Sequence, residues 1–145
     1  MNNVRRRRVK LAIENRISEI MRDELDNAYT IVFENFPKSP DTGTDIPYIE
    51  VFIQYPGLIT NYSGFRICNG ALILTLRSPL NTDNYLAAEA MDILFNNLLN
   101  IPINVTNDDG DRETTVQMNI ASDHTAFTSE TYYTDRHVLT FFVFT

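Results

Sequence analysis

Two histidines and a single cysteine are the residues of this sequence best suited to metal binding or nucleophilic chemistry. His124 and His137 are separated by a polar segment, and neither has a partner at a metal-binding spacing such as His-x-x-x-His. Cys68 lies in a predicted strand between Ile67 and Asn69, and neither neighbour would activate its thiol. We therefore expect structural or surface histidines, a packed thiol, and no catalytic, metal or cofactor site.

The acidic segment Asn-Asp-Asp-Gly-Asp, residues 107–111, suggests a calcium loop at first sight. With Gly110 at the sixth position of such a loop, the first position would fall on Val105, where a carboxylate is required. Asp109-Gly110 instead lies between two β-rich runs and suits the positive φ of a tight hairpin turn. The chain has no phosphate loop, dinucleotide fingerprint or nucleophile elbow, so we expect a protein that is not an enzyme.

Four consecutive arginines, Arg5, Arg6, Arg7 and Arg8, stand in a chain whose formal net charge is −7. Successive helical residues are about 100° apart, so these side chains would surround the helix axis instead of forming one stripe. The helical wheel places Arg6 on the same face as the apolar stripe that begins at Val9. One interpretation is a solvated basic end. Our hypothesis is an assembly contact, in which the guanidinium groups pair with carboxylates of a neighbouring subunit or an adjoining protein.

Hydrophobic periodicity predicts two helices. The first runs from about Val4 to Asp26, and the second occupies residues 78–100, with Asn81 or Thr82 as its cap. The apolar stripes consist of Val9, Ile13, Ile17 and Ile20 in the first helix and of Ala87, Ala90, Met91, Leu94 and Leu98 in the second.

Strands are predicted on both sides of the second helix. The candidates are residues 30–36, 47–56, 65–79, 103–120 and 136–145. The third candidate contains a run that is apolar on both faces, as in a central strand covered on each side, and Gly70 would mark a bulge in it. A polar stretch from Ala121 to Asp135 leads to the last strand. We predict an α+β fold, with two helices packed on a largely antiparallel or mixed sheet, in one domain spanning residues 1–145.

Two further segments carry contact hypotheses. The last strand is apolar on both faces, which suits either an interior strand of a monomer or a strand covered by a neighbouring subunit; Phe142 and Phe144 share its second face. The loop Phe36–Pro47 holds three prolines, and we predict that it reaches a neighbouring subunit or another protein. Its charged residues are Lys38, Asp41 and Asp45.

Composition limits the classes of protein. Hydrophobic residues make up 43% and charged residues 21% of the 145 residues, which is typical of a globular chain. No apolar run approaches the roughly 20 residues that a membrane-spanning helix needs, so we expect no membrane partner and no export.

The order of these segments resembles the phage tail terminator proteins. The resemblance is carried by Glu34-Asn35-Phe36 before a proline-rich loop, by Pro47-Tyr48 at the start of an alternating strand, and by Gly70 ahead of a strand that ends at Pro79 and leads into a helix. It extends from Val4 to about Asn104 and over the last ten residues. This sequence lacks the glycine that often precedes the second helix in those proteins. Its residues 121–135 have no counterpart in them.

The resemblance implies a structural virion protein. Such proteins assemble as hexameric rings that cap the head-proximal end of the tail tube, stop its polymerisation and present a surface to neck or head-completion proteins. Their place is the virion tail at the neck junction, and the host cytoplasm during assembly. Six subunits of this charge would carry about −42, so genomic DNA could pass through the ring without specific binding.

Two alternatives remain open. One is a neck or head-closure protein, which shares the binding role but sits on the head side. The other is a small nucleic-acid-binding module that uses Arg5–Arg8, with Tyr132-Tyr133 as a stacking platform. The acidic net charge disfavours the second alternative.

Overall fold

The computed structural model describes residues 3–26, 29–33, 48–54, 59–62, 65–79, 84–99, 102–106, 109–128 and 132–144. In residues 3–6, 59–62, 65–69, 84–87 and 120–128, and at positions 79, 113, 132 and 144, the description covers the backbone alone. The predicted loop Phe36–Pro47 and the predicted cap at Asn81 or Thr82 lie outside the described residues.

Two helices and seven strands follow one another in the described residues. They are α1 (Asn3–Leu25), β1 (Thr30–Phe33), β2 (Tyr48–Gln54), β3 (Ile59–Tyr62), β4 (Phe65–Pro79), α2 (Asn84–Leu99), β5 (Ile103–Thr106), β6 (Arg112–Thr128) and β7 (Tyr132–Phe144). Both predicted helices are present, and α1 begins and ends within one residue of its predicted bounds.

The strands form one mixed sheet that curls into a half-barrel. The strand order in the sheet is β1-β2-β4-β7-β6-β5. The remaining strand, β3, pairs with β4 and stands outside this order. β1 runs parallel to β2, and the other described pairings are antiparallel. This architecture confirms the predicted α+β class with two helices on a mixed sheet.

The helices pack on one face of the sheet, which we call the inner face. The predicted stripe of α1 is buried, and so are Ala90, Met91, Leu94 and Leu98 of α2. These side chains share a core with every second residue of the central strands, such as Leu72, Leu74 and Leu76 of β4. Among the described helices, neither is long and apolar enough to cross a membrane.

The opposite face of the sheet, which we call the outer face, is only partly covered in the described residues. In β2 the alternation is as expected, because Ile49, Val51 and Ile53 are buried whereas Phe52 and Gln54 are exposed. On the outer face of β4 the described cover is partial, since both helices pack on the inner face, Ile73 is half-buried and Thr75 is buried.

Gly70 has a packing role and does not mark the predicted bulge. The pairing of β4 with β7 continues through it without a shift, with Gly70 opposite Phe141. A Cβ atom added at Gly70 would fall on the ring of Phe141, which is itself buried in the core. Glycine is therefore required here because an aromatic ring from the next strand lies over its backbone.

The turn between β5 and β6 agrees with the hairpin prediction. Gly110 has a φ of 86°, a conformation that residues with a side chain rarely adopt. β5 pairs with β6 in antiparallel orientation on either side of this turn.

The polar stretch Ala121–Asp135 is largely strand, which corrects the prediction of a polar connection. β6 continues to Thr128 and β7 already begins at Tyr132. The pairing of the two strands shifts between Ile120 and His124 and is regular from His124 to Thr128. Polar residues can occupy this ladder because part of the sheet surface faces solvent, and threonine and tyrosine favour extended backbone.

Candidate interaction surfaces

A row of apolar side chains crosses the outer face. Phe52 of β2 pairs with Ile73 of β4, and Ile73 pairs with Val138 of β7, so the three form one row across the middle of the sheet. Phe52 is 46% exposed, while Ile73 and Val138 are half-buried. We call these three residues the outer row. The exposed ring of Phe52 and the partly exposed side chains of Ile73 and Val138 give this row an apolar surface that another molecule could contact.

Charged residues border the outer row on one side. The neighbouring row of the ladder is Glu50, Thr75 and Arg136, and Arg77 lies one row further along β4. The Nη1 atom of Arg77 lies 3.6 Å from Oε1 of Glu50, and both side chains are 40% exposed. An exposed ion pair of this kind contributes little to folding stability.

Apolar and basic side chains together enclose a groove on the outer face. Its volume is about 350 Å³, and it is lined by Phe52, Ile73, Thr75, Arg77, Thr134 and Arg136. The arrangement can receive an apolar side chain beside an acidic group, and it lacks the depth expected of a substrate pocket.

A second groove lies between α1 and the edge strand β5. It has a volume of about 370 Å³, and its walls include Arg8, Leu11 and Arg16 from the helix and Asn104 from the strand. Leu11 is 54% exposed. We call this the helix–edge groove.

Arg16 gives the helix–edge groove a specific polar feature. Its Nη1 atom donates a hydrogen bond to Oε2 of Glu19 over 3.2 Å. Its Nε atom is buried and has no hydrogen-bond partner within the described chain. A buried N–H without an acceptor is unfavourable, so an acceptor supplied by another molecule would be stabilising here.

The four arginines near the start of the chain do not share one described surface. All four lie in α1, where Arg7 is exposed and Arg8 is half-buried in the helix–edge groove. The side chains of Arg5 and Arg6 lie outside the description. The first turn of α1 has no acidic residue to offset these cations at the positive end of the helix.

The structure describes the other predicted contact residues to different extents. Phe142 is half-buried on the outer face, two rows away from the outer row. Phe144 pairs with Ile67 through the backbone, and its side chain lies outside the description. The loop residues Lys38, Asp41 and Asp45 also lie outside the described residues.

A buried polar pair on the inner face was missed by the sequence analysis. Asp135 is 3% exposed, and its Oδ1 atom lies 3.1 Å from Nε2 of His137. The ring of Phe95 from α2 packs against His137, with 5.3 Å between ring centroids. The spacing Asp-x-His could have revealed this pair, because alternate residues of a strand share a face, but the strand was predicted to begin only at Arg136.

The same pair affects Tyr133, two residues earlier on β7. Burial raises the pKa of the Tyr133 hydroxyl, and the negative charge of Asp135 raises it further. Among the side chains that the structure describes, no group of three or more histidine, cysteine, aspartate or glutamate residues could hold a metal ion.

Comparisons with known proteins define a fold and no family. No family model matches the chain, and no curated protein matches it. Among seven matching chains of solved structures, one is 14% identical to this protein with a TM-score of 0.61, and the match covers 95% of this chain and 94% of the other. The name of that structure states no function. At this identity the likeness extends to the fold alone.

Proposed function

We propose that this protein is a phage tail terminator, a ring-forming structural protein that caps the head-proximal end of the tail tube. It ends tube polymerisation and offers a docking surface to neck or head-completion proteins, at the neck junction of the virion. The proposal begins from the resemblance in segment order. The observation that carries it is the outer row, with the exposed Phe52, on the sheet face opposite to the one on which the helices pack.

A protein surface is the occupant that best fits the outer face. Phe52, Ile73 and Val138 would be buried by a contact, and the two arginines beside them would be matched by acidic groups. The described surfaces offer shallow grooves, which suit binding to another protein better than turnover of a small substrate.

A second copy of this chain can supply the acidic groups. The C-terminal half of α1 carries the exposed residues Glu19, Asp23 and Glu24. This half of the helix lies on the inner side of the sheet, where Glu19 and Asp23 also contact Arg16 and Arg22 of their own helix. The C-terminal half of α1 in one copy against the outer face of the next makes a head-to-tail contact. Contacts of that type close into rings when the rotation between copies allows it.

Oligomeric state provides the first test. We expect a closed assembly of six subunits at high concentration or in the presence of tube ends, measured by native mass spectrometry and sedimentation velocity. Arg136→Glu should weaken it by charge repulsion and Phe52→Ser by loss of apolar contact. Arg112→Glu is the matched control, because Arg112 is exposed on β6 beside the β5–β6 turn.

Gene deletion distinguishes the proposal from its nearest alternative. Loss of a tail terminator should give tails of uncontrolled length, whereas loss of a neck or head-closure protein should give normal tails that are not attached to heads. A virion reconstruction in which this chain is absent from the junction of tail and neck would refute both.

The arginine run supplies a separate test of how the ring docks. Replacing Arg5, Arg6, Arg7 and Arg8 by alanine should preserve folding and weaken assembly or docking, and the wild-type contact should weaken as salt rises. A nucleic-acid-binding module would instead bind duplex DNA with a steep salt dependence that this variant loses. Tyr132 and Tyr133 are consecutive in β7, and the description of Tyr132 covers its backbone alone.

A further inference from the structure

The open side of the edge strand β5 borders the helix–edge groove. β5 stands last in the strand order, and its described pairing is with β6. Consecutive residues of a strand point to opposite faces of the sheet, and both Ile103 and Asn104 line the groove. A groove that reaches both faces of one strand must run along an edge, and β6 occupies the other edge of β5. The backbone N–H and C=O groups that β5 directs away from β6 therefore face this groove.

We propose that the helix–edge groove binds an extended, acidic segment of another protein, which adds to β5 as a further strand. Segments of this kind bind sheet edges through backbone hydrogen bonds, and pockets for alternate side chains give the contact its specificity. Open strand edges readily pair with an additional strand. This inference does not depend on the proposed function.

The length of the groove fits a short strand. Its helix wall extends from Arg8 to Glu19, a rise of roughly 16 Å at about 1.5 Å per residue. An extended segment of about five residues has the same length at about 3.3 Å per residue. β5 forms the opposite wall with four residues, which is enough to pair with most of such a segment.

The charge of the groove favours an acidic partner. The charged residues in its lining are Arg8, Arg16 and Glu19, which give the groove a net positive charge in a chain whose formal net charge is −7. Glu19 is 51% exposed, and exposed ion pairs such as the one it forms with Arg16 contribute little to stability. A carboxylate that enters the groove can therefore replace Glu19 or share the guanidinium group with it.

Arg16 offers such a carboxylate a specific contact. Its Nε atom is buried and has no acceptor in the described chain, while its side chain as a whole is 23% exposed and lines the groove. A rotation of this side chain toward the groove would direct Nε–H and a terminal N–H to the two oxygens of one carboxylate. Bidentate pairs of this kind are strong charge-assisted hydrogen bonds, and the contact would give the buried N–H its missing acceptor.

Leu11 adds an apolar contact at a defined distance from Arg16. It is 54% exposed and lies about 7.5 Å before Arg16 along the helix axis. Alternate residues of an extended segment point to the same side and are about 6.6 Å apart. We therefore expect a segment in which an apolar and an acidic side chain stand two positions apart, with the apolar one on Leu11 and the acidic one on Arg16.

The experiment starts from the full chain and a display library of random dodecapeptides. Peptides selected on the wild type are labelled with fluorescein, and their binding is measured by fluorescence anisotropy at low and high salt. We expect the selected peptides to share the pattern apolar–x–acidic, in either direction, and to bind more weakly as salt rises. Selection of no peptides, or of peptides without an acidic position, would overturn the inference.

Variants of the chain then locate the binding site. Arg16→Gln should weaken peptide binding by about tenfold and Leu11→Gln by about fivefold. Arg22→Gln is the matched control and should keep wild-type affinity, because Arg22 is an exposed arginine of the same helix outside the groove. Leu11 is exposed, so Leu11→Gln carries the test if Arg16→Gln does not fold. Wild-type affinity in either groove variant would overturn the inference.

A change in the peptide tests the charge contact from the other side. Replacing the acidic residue of the peptide by its amide should weaken binding to the wild type by about tenfold and leave binding to Arg16→Gln nearly unchanged. Equal losses with the wild type and with Arg16→Gln would mean that the carboxylate binds elsewhere, which would overturn the role of Arg16.

Hydrogen exchange distinguishes strand addition from contact by side chains alone. Bound peptide should slow the exchange of alternate backbone amides in β5 by about tenfold or more, and it should not affect β1 at the other end of the described strand order. Unchanged exchange in β5 with peptide bound would overturn the added strand. Exchange in β5 that slows with the concentration of the chain alone would show that a second copy occupies the groove, and the inference would be wrong.

Discussion

The contact between Gly70 and Phe141 predicts the sign of a stability change. In the interior of a strand, replacing glycine by alanine ordinarily stabilises a protein by roughly 0.5–1 kcal/mol, because glycine loses more conformational freedom on folding. At Gly70 the new methyl group would instead fall on a buried aromatic ring. Overpacking of this kind costs about 1–3 kcal/mol, so the net effect of Gly70→Ala is destabilising.

The magnitude can be measured in a double-mutant cycle. The overpacking cost, less a gain of about 0.5 kcal/mol from the lost glycine flexibility, leaves a net cost of about 0.5–2.5 kcal/mol. We therefore expect Gly70→Ala to lower Tm by about 2–10 °C, taking about 4 °C per kcal/mol for a chain of this size. Phe141→Leu alone should cost on the order of 1–2 kcal/mol through lost packing. In the Phe141→Leu background the ring is absent, so Gly70→Ala should become neutral or stabilising, with a coupling energy of about 1–3 kcal/mol.

Urea unfolding monitored by far-UV circular dichroism gives the four free energies of unfolding. A stabilising or neutral effect of Gly70→Ala in the wild-type background would refute the placement of the ring over the glycine. Equal effects of Gly70→Ala in the two backgrounds would refute the role of Phe141 even if the substitution were destabilising.

Three further predictions concern a turn, a titrating group and a groove. Gly110→Val should lower the free energy of unfolding by about 1–2 kcal/mol, because the φ of 86° at this position is strained for a β-branched residue. Gly110→Asn should lower it less. Equal losses for the two variants in urea unfolding would contradict the turn conformation. The pKa of Tyr133 is raised above its ordinary value of 10.0, so the contribution of this hydroxyl to stability is fully present below about pH 10 and is lost as pH rises through the folded-state pKa. Tyr133→Phe should therefore flatten the decline in the free energy of unfolding at alkaline pH. An unchanged decline would contradict the raised pKa. Leu11→Gln should change the free energy of unfolding by less than about 0.5 kcal/mol, because Leu11 is exposed. If the helix–edge groove is a contact between copies of the chain, the variant should associate more weakly in sedimentation experiments. Unchanged association would exclude that groove as a contact between copies.

The helices and most strands could be predicted because each carries its own periodicity. Val9, Ile13, Ile17 and Ile20 are spaced for one helical face, and all four are buried. The four residues of β3 have no comparable pattern, since a strand this short gives too few alternations to read. The extent of cover on the outer face of β4 could not be predicted, because an apolar run does not reveal how far each face is packed.

The polar groups on the inner face could not be predicted for a different reason. The pairing of His124 with His137 depends on the register between β6 and β7. That register shifts between Ile120 and His124, and no local sequence pattern specifies the size of the shift. Asp135 was read as part of a polar connection because polar side chains usually mark loops. Its burial beside His137 follows from strand pairing and not from hydropathy.

The central position of β7 has a consequence for how the chain folds during synthesis. β1 to β4 and β5 to β6 leave the ribosome before β7, yet in the described sheet β7 is the strand that joins the two groups. Until it is made, one long side of β4 and one of β6 have no strand beside them, and open strand edges of this kind promote aggregation. We expect chains that stop before Tyr132 to aggregate, and chaperone binding to be strongest on nascent chains of that length.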